Sequence, residues 1–297
     1  MRLGVHLPNS GPLADATDLV DLAVRAEQIG FSAVWVHDHL FTPAVIRSTY
    51  PRGSGVYGNK TEWAYHDALT VLSVVAGATD RITLGTRVLI PVYRHPVVLA
   101  KQLSTLDHLS HGRLVLGVGA GWMAEEFEVV GVPLSERYER LTEHVALMRK
   151  AWREGTSEFE GAYYRHAAAG FYPIPDKPIP VILGGFGERT LRRVAKWGDG
   201  WAAVPDPQAD DEIEDLRSRL ARLRELVEAE GRDPAGLRIL SAAPVTARLS
   251  HFEALADIGV TDVDLVLDSP EHVDLALATS IRDALPGQPR TPFSRSM

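Results

Sequence analysis

Cysteine is absent from this 297-residue chain, and with it go disulfides, thiolate metal sites and cysteine nucleophiles. An excess of positive charge is absent too. Thirty-one Lys and Arg face 39 Asp and Glu, for a formal net charge of -8. That balance offers no extended basic surface to nucleic acid, while a local site for a small anion remains open. No apolar run approaches the roughly 18 residues needed to cross a membrane. The opening stretch MRLGVHLPNS lacks the long apolar core of a secretion signal, so a cytoplasmic location is expected. What is present is globular material, 45% hydrophobic and 24% charged, enough for a sizeable core.

Short β-like runs alternate with longer helical patterns. Strands are expected at 2–7, 31–36, 82–88, 113–118, 180–183, 200–204, 237–242 and 263–267. Helices are expected at 17–29, 66–78, 96–109, 136–152, 188–197, 210–230, 251–258 and 270–284. Two segments break the rhythm: an extended loop over 37–65, and an insertion at about 155–178 that reads as a β-hairpin. Eight β/α units in one chain of this length point to the α/β class and a (β/α)8 TIM barrel, one domain over 1–288 with a tail at 289–297. A doubly wound sheet is the alternative. It usually carries a phosphate fingerprint after strand one, and HLPNSGP has none. In a barrel the site is built at the C-terminal ends of the strands.

At the end of the fourth strand stands LGVGAGW, residues 116–122. Read as G-x-G-x-x-G from Gly117, it fails at its last position, which is Trp122. The second strand ends in His37-Asp38-His39. Two imidazoles about a carboxylate can relay protons near neutral pH or hold a metal. Adjacent strand side chains face opposite ways and no third ligand is evident, so no metal is expected. A plainer reading has Asp38 anchoring the long loop. The fifth strand runs through Gly184-Gly185-Phe186-Gly187 straight into a helix, whose free N–H groups and positive dipole end suit a phosphate. Arg189, Arg192, Arg193 and Lys196 add charge there; the alternative is a tight turn beside a solvated basic face. A loop of roughly thirty residues after strand two is uncommon unless it forms a binding wall. Its Phe41, Tyr50, Tyr57, Trp63 and Tyr65 suit a flat ligand. No G-x-S-x-G elbow supports a serine hydrolase.

VWVHDHLF at 34–41, RITLGTRVLIPVYRHPVVLAKQLSTLDHLSHGRLVLGVGAGWMAEEF at 81–127 and VILGGFGERTLRRVAKWGDGW at 181–201 together resemble the luciferase-like monooxygenase superfamily, and within it the F420-dependent oxidoreductases. The resemblance implies a flavin or deazaflavin ring across the barrel mouth, bordered by Gly119, Ala120 and Gly121, with its phosphate at Gly184, Gly185, Phe186 and Gly187. It implies a non-prolyl cis peptide between Arg87 and Val88 that backs the ring. It casts Asp38 and His39 as the catalytic pair beside the reactive face, with His39 orienting substrate or exchanging a proton. His6, Ile90 and Trp201, near other strand ends, complete the expected cofactor wall. Sugar-phosphate dehydrogenases of the family carry a catalytic Glu where this chain has Trp122, so sugar-phosphate oxidation is not expected. The implied activity is hydride transfer between coenzyme F420 and a small organic substrate. The alternatives are an FMN-dependent two-component monooxygenase and a non-catalytic flavin-binding protein. The implied partners are a second copy of the chain and a flavin or F420 reductase that supplies reduced cofactor.

Overall fold

The eight expected strand runs close into one parallel barrel. The computed structural model describes residues 1–49, 60–204 and 211–287. Its barrel strands are β1 (Arg2–His6), β2 (Ala33–Val36), β3 (Thr83–Thr86), β4 (Leu114–Val118), β7 (Val181–Gly184), β8 (Gly200–Ala202), β9 (Arg238–Pro244) and β10 (Asp262–Val266). They pair in the order β1-β10-β9-β8-β7-β4-β3-β2, and β2 closes on β1. The helices that follow them are α1 (Leu19–Ile29), α2 (Ala68–Ala78), α3 (Pro96–Leu109), α5 (Arg137–Glu154), α6 (Glu188–Trp197), α7 (Glu212–Ala229), α8 (Leu249–Ile258) and α9 (Ala276–Ala284). The 155–178 insertion is the antiparallel hairpin of β5 (Thr156–Glu160) and β6 (Arg165–Gly170). Its turn is tied to α5, where the Glu143 carboxylate accepts the N–H groups of Ala162, Tyr163 and Tyr164 at 2.7–2.9 Å.

Several boundaries differ from the sequence expectation. Helix α1 starts at Leu19, because the Asp18 carboxylate accepts Val20 and Asp21 N–H and stops the helix there. Strand β3 ends at Thr86, and the Arg87–Val88 peptide beyond it is cis. A short helix, α4 (Ala124–Val130), follows the LGVGAGW loop where only loop was expected. The last expected helix is broken: Pro270–Asp274 is a 3-10 turn, and Leu275 at φ 66° separates it from α9. Position 210, the expected start of α7, the tail at 289–297 and loop residues Tyr50 and Tyr57 lie outside the described residues.

Alternation along each strand divides the core in two. Residues such as Leu3, Val5, Val34, Leu84, Leu116, Val181 and Val263 face the helices and form the large outer cluster. Ala33, Trp35, Val115, Ile182, Ala202 and Leu240 fill the barrel interior. Trp35 is fully buried, and its bulk dictates its neighbours. A Cβ on Gly85, its register partner on β3, would fall 2.1 Å from the indole, and one on Gly4 of β1 would fall 2.5 Å from Nε1. Below the ring, Arg238 and Arg2 meet Asp262 at 2.6 and 2.8 Å and close the N-terminal end of the barrel. Above it open His6, Arg87 and Asp264, at the end where a site is expected.

Gly85→Ala should therefore destabilise the fold by about 1–3 kcal/mol through overpacking. A Trp35→Leu change in the same chain should recover part of that loss, while each single variant is less stable than the parent. Urea unfolding of the three variants checks this.

Candidate active site

A cavity of about 640 Å3 opens at the C-terminal ends of the strands, within the range of small-molecule and cofactor sites. Its wall includes His37, His39, Arg87, Val88, Ile90, the Gly119–Trp122 loop, Arg137, Tyr138, residues 184–190, Ala202 and Val204.

The fourth-strand glycines have a specific task. A Cβ on Gly119 would meet Val88 Cγ2 at 2.6 Å, and one on Gly184 would meet Val88 Cγ1 at 2.8 Å. On Gly117 a Cβ would strike the Thr86 carbonyl at 2.0 Å. These glycines make room for the β3 bulge, so the Val88 side chain sits between strands β4 and β7 in the cavity wall. Gly121, at φ 77°, packs instead against the ring of Phe127 on α4.

Three expected site residues stand behind the wall. Asp38 is buried and engaged: Arg94 Nη1 and Nη2 donate to its two oxygens at 2.7 and 2.9 Å, and Ile90 N donates at 3.0 Å. A carboxylate so held anchors the loop from behind the wall. His6 stands behind His37 and reaches Asp264, while Trp201 is wholly buried and donates its Nε1–H to the Gly185 carbonyl at 2.7 Å. Trp201 thus shapes the glycine loop rather than facing the cavity.

Arg94 also donates to Asp67 at 2.6 Å, the residue that caps the N-terminus of α2. One guanidinium therefore holds both ends of the long loop. Buried Asn9 does the same a layer lower, donating to the carbonyls of His37 and His66 at 2.8 and 3.0 Å. In between, α4 takes over. Glu125 accepts Arg47 N and Ser48 Oγ at 2.5 and 2.8 Å. Glu126, fully buried, accepts His39 Nδ1 at 2.6 Å, Tyr93 Oη at 2.7 Å and Leu40 N at 2.5 Å.

His39 thus lines the cavity with its Nδ1 committed to a carboxylate, which makes Nε2 the basic nitrogen of the neutral ring. On the neighbouring side, His6 Nδ1 donates to Asp264 at 2.9 Å, His37 Nδ1 lies 2.8 Å from His6 Nε2, and Ser10 Oγ lies 2.6 Å from His37 Nε2. The two imidazoles stack at 4.9 Å. Burial, followed by the charges of His6, His39 and Arg87, pushes the His37 pKa well below its usual 6.5, so this ring stays neutral at neutral pH.

At the far end of the cavity the glycine loop leads into α6, whose N-cap is Gly187 with no side-chain cap. A Cβ there would meet nothing within 4 Å, which leaves the helix start open to a ligand. Tyr138 is held between the guanidiniums of Arg137 and Arg193, at 4.5 and 4.7 Å from its ring centre. Glu188 is engaged by Arg192 and Arg222 at 2.7 and 3.0 Å. Arg137 and Tyr138 of the wall, and Glu126, Asp264 and Ser10 behind it, were not singled out from sequence. Among the described residues no cluster of His, Asp or Glu is arranged to hold a metal ion, and no helix is long and apolar enough to cross a membrane.

The sequence profile described as luciferase-like monooxygenase matches residues 1–290. The chain belongs to the luciferase-like monooxygenase family. It is therefore an oxidoreductase by family, and an enzyme. An uncharacterized protein of Mycobacterium tuberculosis is 33% identical over 242 residues, 80% of this chain and 83% of that one. An F420-dependent glucose-6-phosphate dehydrogenase of Intrasporangium calvum is 38% identical over 190 residues, 62% of this chain and 52% of that enzyme. Among solved structures, an F420-dependent secondary alcohol dehydrogenase in complex with an F420-acetone adduct superposes with a TM-score of 0.73 at 18% identity, covering 96% of this chain and 98% of that one, a likeness of fold.

The loop anchor at Glu125 has a pH signature. Burial raises its pKa, but the N–H groups of Arg47 and Ser48 and the Ser48 hydroxyl outweigh burial and bring it down to about 2. A depressed carboxyl contributes stability fully above its unfolded value near 4.5 and loses it as pH falls toward the folded value. Exchange protection of the Arg47 and Ser48 amides should hold constant between pH 7 and 5 and fall below pH 4. Glu125→Gln should lower it about tenfold between pH 7 and 5 and remove the fall below pH 4, as read by amide hydrogen exchange.

Proposed function

We propose that this chain transfers a hydride between coenzyme F420 and a small organic substrate, both held in the cavity at the barrel mouth. The observation that carries the reading is the division of that cavity. One end offers an uncapped glycine-led helix start with Arg137 and Arg189; the other offers His39 on a buried carboxylate; Val88 lies between them, seated in the space that Gly119 and Gly184 leave.

The fit of the cofactor rests on these features. Gly184, Gly185, Phe186 and Gly187 with the first turn of α6 would hold its phosphate, since backbone N–H groups and a positive helix end favour an anion. The Arg87–Val88 peptide backbone with the Val88 side chain, Ile90, Gly119, Ala120 and Gly121 would border its ring, the Arg87 guanidinium standing apart toward Asp264. Bound there, the coenzyme supplies the hydride-transfer chemistry, and the protein supplies position and polarity. Selection of F420 over FMN is supported by the dehydrogenase relative, an F420-dependent enzyme.

The chain's own residues account for the proton. His39 Nε2 would accept the proton of a substrate hydroxyl on oxidation, or return it to a carbonyl oxygen on reduction. Glu126 would hold the ring tautomer and support the imidazolium. Asp38 enters only through the loop it anchors. Trp122, 6.0 Å from the His39 ring and edge-on to it, fills the position where sugar-phosphate dehydrogenases of the family keep an acid. The substrate therefore belongs to another class.

A side-by-side titration tests the cofactor. F420 should quench tryptophan fluorescence saturably and raise the melting temperature, with FMN at least tenfold weaker. Tighter FMN binding, or no response to either, overturns the reading. Once a substrate is in hand, His39→Ala should lower kcat by about 10²–10⁴-fold, the usual scale for a positioned acid–base group, with F420 affinity changed less than about threefold. Full activity in that variant removes His39 from the chemistry.

A further inference from the structure

Several largely buried arginines of this fold make full sets of hydrogen bonds, and Arg87, which lines the cavity, does not. Arg94 is shared by Asp38 and Asp67. Arg113 reaches Ser110, Thr79, Ile82 and Ala76. Arg232 reaches the carbonyls of Val194, Ala195 and Gly198, and Arg238 grips Asp262. Arg87 is different. Its side chain is 18% exposed, and it reaches over β2 and β1 toward Asp264 of β10 but stops 3.6 Å short of the carboxylate. Its Nε is buried without a partner, and among the described residues its guanidinium makes no hydrogen bond. Asp264 Oδ1, also buried, is unpartnered as well.

A guanidinium carries five N–H donors in a fixed fork, and leaving them unmet away from water is costly. Nearby acids are already committed: Asp38 to Arg94, Glu126 to His39, and Asp264 Oδ2 to His6. Arg87 also lines the cavity on the side of His37 and His39, away from the glycine loop. The positive field there is felt by His37, whose charged form burial, His6, His39 and Arg87 all disfavour. A ligand that enters must therefore bring the missing acceptors.

We propose that Arg87 is the substrate-selecting group of this cavity and that the substrate is a small planar organic carboxylate, held by two parallel N–H···O bonds from the guanidinium. The proposal rests on the reading of the cavity as an oxidoreductase site and names its substrate class. A lone carbonyl oxygen would leave most of the fork unmet, whereas a carboxylate matches it with two oxygens. A phosphate dianion would ask for more positive charge than one guanidinium supplies, since His37 stays neutral with its Nδ1 and Nε2 occupied by His6 and Ser10. Carboxylate binding would leave the neighbouring carbon of the substrate beside His39, the group that handles the proton.

The test uses the cofactor-free full chain, labelled with 15N-histidine, and three aryl probes: benzoate, its planar neutral isostere benzamide, and phenylphosphate. Benzoate should shift the His37 and His39 ring resonances saturably, with benzamide and phenylphosphate at least tenfold weaker. Arg87→Gln should weaken benzoate at least tenfold, Arg87→Lys should recover part of that loss, and F420 affinity should stay within about threefold in both. Arg87→Gln should still unfold in one cooperative thermal transition, so that its loss of benzoate binding is not a loss of fold. Equal binding of benzamide, tighter binding of phenylphosphate, or benzoate affinity untouched by Arg87→Gln overturns the proposal. So does a loss of F420 affinity in Arg87→Gln, which would make the guanidinium a cofactor group. The two readings separate cleanly. If F420 does not bind but benzoate depends on Arg87, the cofactor reading falls and this one stands. If F420 binds and benzoate shows no preference, only this one falls.

Discussion

The ion pair between Arg94 and Asp38 is the constraint on which the mouth of this barrel depends. The Asp38 carboxylate is fully buried, and the Arg94 side chain is 13% exposed. Desolvating such a pair is costly unless geometry and further hydrogen bonds compensate. Here they do, through a bidentate contact, an added backbone donor at Ile90 and a second carboxylate at Asp67. The consequence is geometric. An excursion of roughly thirty residues leaves the barrel after β2 and returns at α2 with both ends fixed to one side chain. That same fixing sets where His37 and His39 can stand.

From this anchor the remaining polar contacts follow as a chain of satisfied demands. Helix α4 presents three glutamates to the loop: Glu125 to Arg47 and Ser48, Glu126 to His39 and Leu40, and Glu128 to Arg47. The Glu125 and Glu126 carboxylates leave water because backbone N–H groups, hydroxyls or an imidazole replace their hydration, whereas Glu128 stays exposed. Apolar contacts obey a matching economy of space. Trp35 fills the lower barrel because Gly4 and Gly85 face it, and Val88 fills the upper wall because Gly119 and Gly184 do. Glycine in this barrel is a record of what large side chain lies opposite. Where neither demand is met, at Arg87 and Asp264, the cavity is open.

Much of this was legible in the chain. Strand and helix patterns identified the eight units, the hairpin at 155–178 and the helix that opens after Gly187, because period and capping are local properties. His39, Gly184 to Gly187 and the Gly119–Gly121 loop were recognisable, and all of them reach the cavity wall. The plainer reading of Asp38, as the anchor of the long loop, agrees with its contacts with Arg94 and Ile90. The glycines after strand four were read as space for a flat ring. Gly119 is, more directly, space for Val88, whose position depends on the Arg87–Val88 segment one strand away, and Gly121 meets Phe127.

Sequence by itself determined the barrel, the end at which its site lies and the types of group available there, because these follow from alternation, turn residues and connection order. Tertiary structure decided the partners. Glu126 meets His39 across 87 positions, Asp264 meets His6 across 258, and Arg94 meets Asp38 across 56. No local pattern encodes such pairings. They arise when barrel closure brings distant carboxylates and cations out of water together, and each must then find a counterpart or remain, like Arg87, waiting for one.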